Sequence, residues 1–175
     1  ILTRYQYENG WPTRTEKTGE PIVLNTYDDR YMKVTRSEAL RDNTHWVITE
    51  NTLSEDGRYI VSSQVSEDDI VQSKTMYQYD SYGNIIEEKV TDSDGSVLSL
   101  TKYAYTYNND GSYKVESWTE NVKDADGAVT QKIGTVKNYD RRGRLVQETD
   151  ANGNQIKYFY DSLGRLVRTQ NSDET

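Results

Sequence analysis

His45 is the one histidine in a chain of 175 residues that has no cysteine and a surplus of carboxylates. A serine hydrolase would need that histidine as its base. Serine is plentiful, but His45 sits in a strand-like stretch beside Trp46, and no Gly-x-Ser-x-Gly elbow occurs anywhere. It reads as a structural or surface histidine. Two-histidine metal sites and cysteine nucleophiles are excluded within one chain by composition. Carboxylate pairs could do acid–base work, and Asp28-Asp29, Asp68-Asp69 and Glu87-Glu88 are adjacent. Neighbours on a strand point to opposite faces, so such pairs do not converge on a substrate and read as solvated charge. The aspartate-rich segments invite a calcium reading, since Asp92-x-Asp94-Gly95 opens like an EF-hand loop. The frame then fails: the sixth position is Val97 rather than glycine and the twelfth is Tyr103 rather than glutamate. The Asp124 segment fails likewise, with Val129 and Thr135 at those positions. These residues read as turns. No catalytic residue, metal ligand or cofactor site is assigned.

What remains is a repeat. Tyr139-Asp140-Arg141-Arg142-Gly143-Arg144-Leu145-Val146 returns as Tyr160-Asp161-Ser162-Leu163-Gly164-Arg165-Leu166-Val167, an offset of 160 − 139 = 21 residues. A fixed period marks a repeat architecture. The motif is Tyr-x-Tyr-Asp-x-x-Gly-x followed by a bulky apolar residue. Its clearest copy is Tyr158-Phe159-Tyr160-Asp161 with Gly164, Arg165 and Leu166. Others are Tyr77-Gln78-Tyr79-Asp80 with Gly83, Ile85 and Ile86, and Tyr105-Thr106-Tyr107-Asn108 with Gly111 and Tyr113. Looser copies are Tyr5-Gln6-Tyr7-Glu8 before Asn9-Gly10, Tyr27-Asp28 without the glycine, and a degenerate unit around Asp56-Gly57-Arg58-Tyr59.

One unit has a simple physical reading. Tyrosines two apart share a strand face. Asp followed three residues later by Gly suits a turn: the carboxylate bonds its own backbone and glycine accepts positive φ. The apolar residue two after glycine starts the returning strand. A second series (Ser54–Gly57, Asp92–Gly95, Asp124–Gly127, Asp150–Gly153) supplies the opposite turns, and Asp-Gly or Asn-Gly between alternating segments is a strong hairpin signal.

The pattern resembles the RHS, or YD-repeat, family. Residues 139–167 match it most closely, 77–115 in part and 1–76 least. The resemblance implies a segment of a β-sheet spiral that winds into a hollow shell, as in bacterial Rhs effectors, the B and C subunits of Tc toxin complexes, wall-associated polymorphic toxins and the related teneurin shell. It implies neighbouring repeats of a parent protein and an enclosed toxin or effector polypeptide as partners, and a secreted or cell-surface bacterial location. Rhs effectors often carry an Asp-Pro-x-Gly self-cleavage motif. The prolines here, Pro12 and Pro21, do not follow Asp, so that activity is not assigned.

Composition fits a sheet. Val, Ile, Leu and Phe are scarce, which alone would suggest disorder, but the chain has 15 tyrosines and 3 tryptophans. A net charge of −8 argues against nucleic-acid backbones and anionic membranes as partners. No apolar run approaches membrane-spanning length, and no signal peptide is visible. The chain opens Ile1-Leu2-Thr3-Arg4 as if mid-strand and ends in the polar Asn171–Thr175, which reads as a piece of a longer protein.

The expected fold is all-β: antiparallel β-hairpin repeats in a twisted, curved sheet. Residues 1–75 form an irregular antiparallel region and 76–175 the repeat meander. The expected early strands are 2–8, 21–27, 30–36, 44–53 and 58–66, with one helical turn over 37–43 and an acidic connector over 66–71. Arg144 and Arg165 either grip an anionic cargo or bond turn groups and stack on a tyrosine. The tyrosine rows either pack across strands or form a platform for glycans. Two functions follow: a non-catalytic wall segment, or a surface carbohydrate-binding module.

Overall fold

A computed structural model describes residues 2–41, 44–123 and 129–172, without the side chains of 41, 120–123 and 129–133. The described residues form fourteen strands whose order follows the sequence. They fall into two compact units, Ile1–Leu98 and Ser99–Thr175. The first holds β1 (Thr3–Glu8), β2 (Trp11–Lys17), β3 (Val23–Tyr27), β4 (Val34–Arg41), β5 (His45–Leu53), β6 (Ile60–Glu67), β7 (Ile70–Tyr79) and β8 (Ile85–Asp92). The second holds most of β9 (Val97–Tyr107), then β10 (Tyr113–Lys123), β11 (Val129–Tyr139), β12 (Leu145–Thr149), β13 (Gln155–Tyr160) and β14 (Leu166–Asn171). Within each unit every strand pairs antiparallel with its sequence neighbours. The all-β reading holds. No helix among the described residues is long and apolar enough to cross a membrane.

The turns form as the motif dictates. At Tyr79-Asp80 the Gly83 amide donates to the Asp80 carbonyl at 3.1 Å and the Asp80 amide to the Asn84 carbonyl at 2.9 Å. The same two bonds close the turns at Asp92, Asn108, Asp140, Asp150 and Asp161. Glycine is needed at Gly83 twice over. Its φ is +91°, and an added Cβ would lie 2.5 Å from the Tyr59 hydroxyl. The expected hairpin over Ser54–Gly57 forms as well, pairing β5 with β6. The expected turn at Asp124–Gly127 lies outside the described residues.

The register slips by one residue directly after most of these turns. Tyr139 pairs with Leu145 but Asn138 with Gln147, so Val146 is extra. The corresponding bulge residues are Thr13, Thr35, Val61, Ile86 and Val167. All of these are β-branched, a type that tolerates the extended, twisted backbone of a bulge, whereas the slip after the β6–β7 turn leaves Gln72 extra. In the β9–β10 hairpin the corresponding residue is Lys114, and the register there runs without a slip.

Three local expectations are corrected. Residues 37–41 are strand, not a helical turn, and the strand expected at 30–36 is β4 at Val34–Arg41. Pairing with β3 on one side and β5 on the other (Ala39 with Val23 and Val47) outweighs the helical preference of Glu38-Ala39-Leu40. Arg36 also bonds Glu38 at 2.6 Å and Glu50 at 2.5 Å, the same-face spacing of a strand. Residues 42–43 lie outside the described residues. The stretch 66–71 is not a connector but the tip of the β6–β7 hairpin, with Asp68 and Asp69 at φ 48° and 65°. Positive φ at both central residues is what a two-residue hairpin turn requires, and aspartate tolerates it.

Burial is partial throughout. Ile48 is the one hydrophobic side chain among the described residues that is buried, alongside the polar Ser66 and Thr91. The strands are held by ladder bonds and cross-strand pairs rather than by a closed core.

Candidate functional site

The feature that repeats is a tyrosine braced against the preceding hairpin. The Tyr160 hydroxyl donates to the Leu145 carbonyl at 2.8 Å, Tyr79 to Ile60 at 2.7 Å and Tyr27 to Pro12 at 3.0 Å. Each acceptor directly precedes the bulge residue of a returning strand and pairs across the preceding turn: Leu145 with Tyr139, Ile60 with Leu53 and Pro12 with Tyr7. Each hydroxyl therefore reaches back across one hairpin to the same backbone position.

A second contact repeats beside it. After four of the turn glycines, the residue one or two further on lies over the tyrosine of the next repeat. Trp11 meets Tyr27 with ring centres 5.7 Å apart, Tyr59 stacks on Tyr79 at 4.5 Å, and Tyr113 stacks on Tyr139 at 4.7 Å. Arg144 takes this place in the last pair, with its guanidinium 4.8 Å from the Tyr160 ring centre. A cation over a ring replaces ring on ring. Burial among these neighbours pushes the Tyr79 and Tyr113 hydroxyls above the ordinary tyrosine pKa, and neighbouring tyrosines add to it.

Asp140 holds Arg144 in position. Its Oδ1 accepts from the amides of Arg142 at 2.8 Å and Arg144 at 3.0 Å, while Oδ2 accepts from Arg144 Nε at 2.7 Å and pairs with Nη2 at 2.6 Å. Asp161 does the same for the Leu163 and Arg165 amides and for Arg165 Nε. In other turns a neutral side chain replaces the arginine: Asn84 on Asp80, Ser112 on Asp110 and Asn154 on Asp150. All five carboxyls are held below the usual aspartate range. The first cause is the side-chain bond from Arg144 for Asp140, from Asn84 for Asp80, from Ser112 for Asp110 and from Asn154 for Asp150. For Asp161 it is the Arg165 amide.

The other motif residues fall around this frame. Tyr77 on β7, Tyr105 on β9 and Tyr158 on β13 are half-buried. The Tyr158 hydroxyl reaches Glu148 at 3.3 Å, and burial followed by that carboxylate raises its pKa. Tyr107 is exposed and tilts onto Tyr113 at 5.7 Å. Gly111, Gly143 and Gly164 take positive φ in their turns. Arg144 bonds a turn carboxylate and stacks on a tyrosine at once, the two local alternatives of the sequence reading. His45 is exposed at a hairpin end, with Nε2 3.7 Å from Asp68 Oδ2. Of the carboxylate pairs only Glu87-Glu88 lies on a strand, Asp28-Asp29 and Asp68-Asp69 being in turns.

An open cavity of about 630 Å³ lies between the Asp110, Asp140 and Asp161 turns, walled by Arg141, Arg144 and Tyr160. The Asp110, Asp140 and Asp161 carboxylates there are each engaged by a group of their own turn. Sequence reasoning missed the hydroxyl braces, since the spacing from turn glycine to bracing tyrosine varies (160 − 143 = 17, 27 − 10 = 17, 79 − 57 = 22). It also missed the bulges, whose trace is the consecutive apolar pair in Leu145-Val146, Leu166-Val167 and Ile85-Ile86.

Comparison with known proteins agrees with this geometry. Residues 139–175 match the model of the RHS Repeat family. No curated protein matches the chain. Among solved structures, that of TcdB2-TccC3-TEV superposes with a TM-score of 0.51 at 16% identity, covering 99% of this chain and 9% of that one. A Photorhabdus luminescens Tc holotoxin pore gives 0.49 at 16% identity, with the same coverage. The chain thus spans about a tenth of the length of the chains it resembles. Residues 139–175 are RHS repeat by sequence, and the chain along its length shares the fold of the matching stretch of the TcdB2-TccC3-TEV structure.

Proposed function

We propose that this chain is a non-catalytic wall segment that, with neighbouring repeats of a larger secreted bacterial protein, encloses a toxin or effector polypeptide. The observation that carries the reading is the brace of Tyr27, Tyr79 and Tyr160 onto the preceding hairpin. The motif's most distinctive side chains are spent on joining one repeat to the next, which serves a continuous barrier. The function would be steric: a wall keeps an enclosed polypeptide from proteases and from its own producer cell. The fold it shares with the TcdB2-TccC3-TEV chain supports this reading.

The test is a chimera in which this chain replaces the structurally equivalent stretch of the TcdB2-TccC3 chain, digested with a broad-specificity protease. A wall segment leaves the downstream polypeptide protected, and Tyr160→Phe with Tyr79→Phe opens it to cleavage. An assembled chimera whose downstream polypeptide is cut as fast as an unshielded control overturns the proposal. A glycan array on the 175-residue chain covers the rival function. Saturable glycan binding that Tyr105→Ala or Tyr158→Ala abolishes would make it a carbohydrate-binding module instead.

A further inference from the structure

Between β3 and β7 the two faces of the sheet differ in kind. Successive residues of a strand point to opposite faces, so cross-strand partners trace a row along each. One row runs Asn25, Ser37, Thr49, Val65 and Ser73, all small and uncharged. Flanking it on the same face are Val23, Ala39 and Val47 on one side and Asn51, Ser63 and Thr75 on the other. The row behind it runs Thr26, Arg36, Glu50, Gln64 and Lys74. Along that second face Arg36 bonds Glu38 at 2.6 Å and Glu50 at 2.5 Å, and Arg14 pairs with Glu16 at 2.7 Å. Buried Ile48 lies there too, with Glu38 directly opposite.

The charged face is complete as it stands. Its ion pairs satisfy one another in water, and stems of this length cover apolar neighbours. The other face has neither charge nor length. Charges return at its margins, with Lys17 on β2, Glu67 beside the β6–β7 tip and Asp92 on β8.

We propose, resting on the wall reading, that the uncharged face is the inner surface, met by the enclosed polypeptide, and the charged face the outer one. A polypeptide of mixed sequence carries both signs of charge. Fixed charges around it would hold the complementary segments, since enclosed spaces with low-dielectric walls focus fields. Hydroxyls and short amides exchange protein bonds for water bonds at little net gain, so they grip no particular sequence. Short side chains also leave the most room on the side toward which a closing sheet curves. The outer face meets water, where charge keeps a large assembly soluble.

The chain contains no cysteine, so single thiols report each face. Thr49 and Glu50 are neighbours on β5 that point to opposite faces. Thr49→Cys and Glu50→Cys are placed singly in the TcdB2-TccC3 chimera, its other cysteines replaced, and treated with a maleimide on a polymer too bulky to pass the wall. The 175-residue chain alone gives the intrinsic rate of each thiol, including the help that Arg36 gives a thiolate at position 50. The expected result is that Glu50→Cys labels in the chimera at its intrinsic rate, while Thr49→Cys loses its labelling on assembly. Ser63→Cys and Gln64→Cys repeat the pair on β6, in case a β5 variant misfolds. In a protease-resistant chimera, labelling of Thr49→Cys at its intrinsic rate, or shielding of Glu50→Cys, overturns the proposal and leaves the wall reading standing. Shielding of Thr49→Cys that grows with the concentration of the 175-residue chain overturns it as well, because a second copy would then cover the face. A chimera whose downstream polypeptide is cut removes the wall reading, and this proposal with it.

Discussion

The turns at Tyr160 and Tyr27 do the same job with different materials. Both follow a tyrosine whose hydroxyl braces the preceding hairpin. At Tyr160 the aspartate is followed three residues later by Gly164, at φ +84°. At Tyr27 there is no glycine, the loop is one residue longer, and Met32 takes the left-handed position at φ +55°. The Asp28 carbonyl still accepts the left-handed residue's amide, at 2.9 Å, and the Asp28 amide still donates to the next carbonyl, that of Lys33. The extra residue gains a contact, for it lets Tyr31 lie against the Gly57 turn, where any Cβ would collide with its ring. The comparison teaches that the brace does not depend on the glycine: Tyr27 keeps it over a turn built without one. A strained backbone residue costs about 1–2 kcal/mol, which a longer loop with its own packing can offset.

Changes that separate the two turns rank by size. Acid should act most widely. The Asp80, Asp110, Asp140, Asp150 and Asp161 carboxyls have folded pKa values below the unfolded value of about 3.9. Each therefore contributes stability above that pH and loses it as pH falls through the folded pKa. Denaturant melts at stepped pH should show stability constant from neutral to about pH 5, then falling steeply below about pH 4. A flat profile down to pH 2.5 would mean that the turn carboxylates contribute nothing.

Gly83→Ala comes next. It forces both positive φ and a clash with Tyr59, and should cost about 2–3 kcal/mol by urea melts. Gly143→Ala meets only the backbone strain and should cost about 1–2 kcal/mol. Equal losses would show that space above the turn is immaterial. Tyr160→Phe keeps the ring under Arg144 and removes the bond to Leu145, for about 1 kcal/mol. Tyr27→Phe should match it if the brace is the shared element, and an effect in only one of them breaks the comparison. The smallest change runs the other way: Met32→Gly should add about 0.5–1 kcal/mol, relief of strain offset by backbone entropy. A loss there would show that the Met32 side chain contributes packing worth more than its strain.

The legible parts of the structure were those that a few neighbouring residues settle alone. The Asp80, Asp140 and Asp161 turns, the hairpin over Ser54–Gly57 and the returning strands at Ile85, Leu145 and Leu166 were all readable. Each is closed by bonds within five residues. The segment at 37–41 was misread because Glu38-Ala39-Leu40 carries local helical preference, and the ladders on both sides that overrule it come from distant residues. The Asp68-Asp69 tip was missed because two aspartates read first as charge. Only their position between two paired strands shows them as a turn.

Sequence by itself determined that the chain is all-β, where most hairpins turn, and that Tyr, Asp, Gly and Arg recur in one frame. Period, turn chemistry and strand alternation act over a handful of bonds. Tertiary structure decided what the frame is for. Whether Tyr160 faces a sugar, a cargo or Leu145 depends on which backbone lies 2.8 Å from its hydroxyl. Whether Arg144 is a free cation depends on Asp140 and the Tyr160 ring converging on it from two hairpins. Those distances are set by the stacking of one repeat on the next, with its β-branched bulges setting the register. A pattern within one repeat cannot specify what the neighbouring repeat brings against it.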